Sequence, residues 1–208
     1  MRTPEINSAL ERTLTRERLA KYLYRTKDNL DEALALYERN TRLSEAFYTP
    51  LQSVEVCLRN CLNEQMVAVF GENWLDNENT PLKAHSLRMI DDARREITKE
   101  PVLPDDIVAA LRFAFWVSLL GRGYDATLWR RALNRAFAKG SGRPRKVVHS
   151  RLNFIRRFRN RVAHHEPIFD RNLLQIHDEI LETIGWMSAE TAAWTKHHSR
   201  VSTVIAAG

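Results

Sequence analysis

The segment from Leu51 to Val69 constrains the fold more than any other stretch of this chain. Leu51, Val54, Cys57, Leu58, Cys61, Leu62, Met66 and Val69 recur at steps of three and four residues. That spacing puts them on one stripe of a helix, which has to be buried against other elements. The rest of the chain offers only more helices. No run alternates apolar and polar residues at the strand period, and no Asn-Gly or Asp-Gly hairpin turn is present. The expected architecture is an all-α helical bundle.

Punctuation along the chain divides the bundle. Thr15 can cap a first helix to about Arg25, and Asp28 or Asn29 a longer second one to about Tyr48, with Pro50 interrupting or restarting the pattern. Gly71 is the expected end of the Leu51–Val69 helix. A fourth helix follows the 73–81 connector, with Leu82, Leu87, Ile90 and Ile97 as its apolar positions. Asp105 or Asp106 should cap one apolar helix to Leu120, and another is expected from Leu128 to Ala138. Residues 140–144 form the clearest loop, helix resumes from Lys146 to about His164, and a last helix covers Leu173 to Thr195. The tail from Lys196 is expected to fray. With no internal repeat and no long linker, residues 1–208 read as a single domain.

No apolar run approaches the twenty residues that span a bilayer, and Met1-Arg2-Thr3-Pro4-Glu5 is not a signal region. Cys57 and Cys61 share one helix face and read as reduced core residues. A cytoplasmic protein with no membrane association is expected. No phosphate loop, metal-ligand spacing or cofactor motif appears, so no cofactor and no metal is expected.

Charge is the first pointer to function. The chain carries 32 Lys+Arg and 26 Asp+Glu. Between Ala126 and His165 there is no Asp or Glu, but there are 12 basic residues, Arg156 and Arg161 among them. The whole positive excess therefore lies in one forty-residue stretch, as a polyanion site requires.

That stretch ends in Arg159-Asn160-Arg161-Val162-Ala163-His164-His165-Glu166-Pro167. Arg159 can neutralise a phosphate, and His164 can move a proton near neutral pH. Five helical steps turn the two by roughly 140°. They can still converge where the helix gives way before Pro167, or across two subunits that meet there. A histidine that takes the 2′-OH proton, with Arg159 stabilising the phosphoryl oxygens, is a kit for cutting RNA. Asn160 can orient an imidazole or bond a phosphate. The plainer reading is that His164 caps the helix and Arg159 pairs with Glu55 or another carboxylate.

The segment Arg159 to Ile168 resembles the signature of the Abi-like (abortive infection) bacterial proteins of the HEPN superfamily, whose motif is Arg, a polar residue, a spacer and His. Val54-Glu55-Val56-Cys57-Leu58-Arg59-Asn60 resembles the family's Glu-x-x-x-Arg-Asn helix. Phe113 to Leu120, followed by Leu128-Trp129, resembles its central apolar helix. The resemblance covers roughly residues 30–186.

It implies an all-helical HEPN fold and a metal-independent endoribonuclease, acting as a toxin or in phage defence. It also implies a homodimer with a composite site and an antitoxin protein or RNA as restraint. Arg159 and Asn160 match the motif, as does His164 through the commoner four-residue spacer, with His165 the alternative. Glu55, Arg59 and Asn60 are expected to support the site, although Glu55 and Arg59 also suit a simple i,i+4 pair. Arg156 and Arg161 are expected to contact RNA. The rival expectation is a non-catalytic RNA-binding module.

Overall fold

The stripe centred on Leu58 becomes the inner face of α4 (Tyr48–Phe70), where Leu51, Val54, Cys57, Leu58, Leu62 and Met66 are buried. In the computed structural model, which describes residues 2–137 and 142–207, every regular element is helical. The helix α4 is the axle of the bundle. Packed on it are α7 (Phe113–Leu119), α9 (Leu173–Gly185), α10 (Ala189–His198) and a tight turn at Leu133–Phe137. Pro50 falls in the first turn of α4, where its missing N–H has no helical partner to lose. Gly71 ends the helix at φ 87°, a backbone position that favours glycine.

The aromatic centre lies against α7. Phe115 and Trp116 meet at 5.1 Å between ring centroids, and Trp74 lies 6.2 Å from Trp116. Both buried indoles are satisfied, Trp74 by Asn63 Oδ1 at 2.9 Å and Trp116 by the Leu111 carbonyl at 3.3 Å.

Three helices lead into this core. The first, α1 (Pro4–Leu14), lies ahead of the helix that the sequence offered as first; it starts at Thr3, whose hydroxyl accepts from the Ile6 N–H. The helix α2 (Arg16–Arg25) is capped by Thr15, and α3 (Leu30–Ala46) by Asn29. Leu19, Tyr22 and Leu23 of α2 pack on Ala33 and Leu34 of α3 as a small second core. Phe169 touches both cores. The Tyr22 hydroxyl is buried there without a partner, and burial pushes its pKa up to about 12.

Four expectations fail here. The apolar run after Asp105 is two helices, α6 (Pro104–Ala110) and α7, split where Leu111 is extended at ψ 121°. The split is possible because Glu55 Oε1 accepts from the freed Phe113 N–H at 3.2 Å. The helix expected over Leu128–Ala138 is instead a chain of tight turns at Arg122–Tyr124, Asp125–Trp129 and Leu133–Phe137; Ala138, Gly140 and Ser141 lie outside the described residues.

The last expected helix breaks after Gly185, and Ser188 recaps α10 by accepting from the Thr191 N–H at 3.0 Å. The tail does not fray. Residues Val201–Ala206 form α11, Val201 is fully buried, and Ser199 Oγ meets His177 Nε2 at 2.8 Å. Between α4 and these last helices come α5 (Ala84–Glu96) and α8 (Arg145–Ala163), the helix that carries Arg159.

Candidate functional site

The helix α8 buries Val148, Leu152, Ile155 and Phe158, so Arg159, one step on, emerges at the edge of the core. There its Nε lies 3.4 Å from Glu55 Oε2. Glu55 thus holds two distant elements at once, the start of α7 through one oxygen and Arg159 through the other. It makes no pair with Arg59. Arg59 bonds Asn60 Oδ1 at 3.1 Å and the Ala109 carbonyl at 3.5 Å.

Beside the Glu55–Arg159 pair runs a groove of about 650 Å³. The end of α3, the first half of α4 and the last turn of α8 form its walls. Tyr48 and Val56 line it as exposed apolar side chains, with Arg59 and Arg159 among the polar ones. His165 also lines it, whereas His164 and Asn160 do not.

The end of α8 explains which histidine enters. The Glu166 N–H donates to the Arg161 carbonyl at 2.8 Å, and the His165 N–H to the Val162 carbonyl at 3.0 Å. These two bonds form a Schellman motif, whose penultimate residue has to be left-handed. That residue is His165, at φ 56°. Glycine is the usual occupant, because an L side chain is strained there. His164 is the C-cap residue and keeps an unstrained negative φ, at φ −90° and ψ 11°.

The turn is held from outside the motif. Arg18 Nη2 donates to the His165 carbonyl at 2.6 Å and to the His164 carbonyl at 3.3 Å. A cation on the last carbonyls of a helix also suits its dipole. Just beyond, buried Asn40 accepts from the Ile168 N–H at 2.7 Å and the Phe169 N–H at 3.2 Å. Neither Arg18 nor Asn40 stands out in the sequence. Each lies more than a hundred residues from the segment it holds, in an ordinary helical context.

Comparison of the chain with protein-family models, with characterised proteins and with solved structures finds no match. The site therefore has to be read from its own geometry.

The basic stretch is less bare in space than in sequence. Asp125, just before it, pairs with Arg130 and with Arg145, each at 2.9 Å. Arg151 pairs with Glu182 at 2.8 Å, and Arg161 with Glu166 at 2.9 Å. Arg131 lies over the Phe70 ring and Arg143 over that of Trp186. Arg156 is taken up by Asn153 Oδ1 at 2.9 Å. Lys139 lies outside the described residues. Among the described residues, Arg135, Lys146 and Arg157 are exposed members of the stretch with no ion pair.

Burial lowers the pKa of His149 on α8, and Arg145 and Arg156 add to the effect. The thiol of Cys57 is pushed up by its hydrogen bond with Cys61 and by burial, which suits an inert core cysteine.

Proposed function

We propose that this protein is a HEPN-type endoribonuclease whose working pair on each chain is Arg159 and His165. One observation carries the reading: a strained, non-glycine residue that can take a proton lines the same groove as an arginine held by a carboxylate. In this reading His165 removes the proton from a ribose 2′-OH. The 2′-oxygen then attacks the adjacent phosphorus and the bond to the 5′-oxygen breaks, leaving a cyclic phosphate and a 5′-hydroxyl. Arg159 neutralises the phosphoryl oxygens as charge builds on them. Glu55 fixes the Arg159 Nε, so the terminal nitrogens of the guanidinium remain for substrate.

Each chain brings one histidine to the groove, and the leaving oxygen also needs a proton donor. A second copy facing the exposed Tyr48 and Val56 would bring the other imidazole and close a composite site. Activity of this kind has to be restrained in the cell, so an antitoxin protein or RNA and a role in phage defence belong to the same proposal.

The test is cleavage of total cellular RNA by purified protein in excess EDTA. Wild type and His164→Ala should cut, whereas Arg159→Ala and His165→Ala should not. Loss of cutting in His164→Ala alone would return the role to the residue favoured by motif spacing. The second reading, an RNA-binding module, draws on Arg135, Lys146 and Arg157, which are exposed and have no ion pair among the described residues. It would prevail if wild type binds RNA tightly and with strong salt dependence but never cuts it.

A further inference from the structure

We infer that the groove on the opposite side of α8 from Arg159 is a phosphate site for nucleotides. Arg157 and Arg161 stand two steps to either side of Arg159, a turn of about 200° in each direction. They line a separate groove of about 390 Å³ that shares no residue with the first. Arg171 adds a third guanidinium, and Glu166 is the one carboxylate in the lining. Three cations against one anion leave two positive charges, which a phosphate monoester or two successive phosphodiesters would balance.

The arginines are unequally committed. Arg161 reaches Glu166 at 2.9 Å and the Pro167 carbonyl at 3.0 Å, yet its Nε is buried with no partner. Among the described residues, Arg171 pairs only with its neighbour Asp170, at 3.9 Å. Arg157 is exposed and has no ion pair among the described residues. The groove also has an apolar side, made by Phe154 and Ile176, and Asn160 lines it as well. A ring surface beside guanidinium groups, with an amide that can both donate and accept, suits a nucleobase next to its phosphate. It also gives Asn160 a setting, since the structure places it away from Arg159. The inference uses neither Arg159 nor His165 and stands whether or not RNA is cut.

Calorimetric titration of the full chain with 5′-adenosine monophosphate and with inorganic phosphate tests it. Wild type and Arg88→Ala, a change on the exposed face of α5 that lines neither groove, should bind alike. Arg157→Ala should weaken binding about tenfold or more, and Arg157→Lys should recover part of the loss. Glu166→Gln releases Arg161 and should tighten binding several-fold, a gain that damage to the fold would not produce. No binding at millimolar ligand, or an affinity in Arg157→Ala equal to that of wild type, would each overturn the proposal.

Ribo-oligonucleotides with and without a 5′-phosphate separate the sources. Dependence on Arg157 only when the phosphate is present assigns the groove to a chain end, and dependence with both assigns it to internal phosphates. Wild type that binds adenosine monophosphate through Arg157 but cuts no RNA would remove the nuclease reading and leave this site in place.

Discussion

His165 occupies the place where helices most often set a glycine, and it stays left-handed at φ 56° because Arg18 and two backbone bonds hold it there. The strain gives a prediction that separates activity from stability. Replacing His165 by glycine relieves about 1 kcal/mol of backbone strain, offset in part by the greater freedom of glycine in the unfolded chain. His165→Gly should be as stable as wild type or more so in urea denaturation, while the RNA cleavage proposed for the wild type should be lost. His164→Gly should gain no stability, since the φ of His164 is already negative. Arg18→Ala should lower cleavage about ten- to a hundredfold by loosening the histidine, and Arg18→Lys should restore much of it. Motif spacing alone favoured His164. Which of the two adjacent histidines lines the groove depends on a φ angle fixed by the helix terminator, and no residue count contains that angle.

Among the elements, α4 and α8 were legible because their signals are local: an apolar stripe in each, a glycine ending one and Pro167 soon after the other. The break between α6 and α7 was not legible, because it relies on a carboxylate 58 residues away. Glu55→Ala should therefore affect two elements, costing about 1 kcal/mol through the lost cap on α7, with little added by the half-exposed ion pair. Asn40→Ala should cost more, about 2–3 kcal/mol, because it leaves two backbone N–H groups near the core without an acceptor. Urea midpoints for the two variants check both values and their order. The Ser188 cap could have been read, since serine follows shortly after Gly185 and precedes Glu190.

Across the whole molecule, burial sets the acid response. It lowers the pKa of His177, which bonds Ser199 and so anchors α11; nearby Asp178 opposes the shift and Lys196 adds to it. His149 shifts the same way. A base with a depressed folded pKa binds its proton more readily when unfolded. Well above pH 6.5 both imidazoles are neutral in either state and their contribution to stability is complete; it is lost as the pH falls through and below that value. The urea midpoint should be flat from pH 8 to 7 and fall towards pH 5. The double variant His149→Gln, His177→Gln should flatten that fall. No helix among the described residues is long and apolar enough to cross a membrane.

The contact between Arg18 and the last carbonyls of α8 also joins two regions into one opening unit. The amides of α2 and those of residues 164–166 are far apart in sequence, yet a motion that lifts α2 from the end of α8 has to break the same two bonds that hold the turn. Their deuterium uptake should therefore follow a common time course. A partner that pried α2 away would unfasten the histidine turn in the same event, and so act on the groove without touching it.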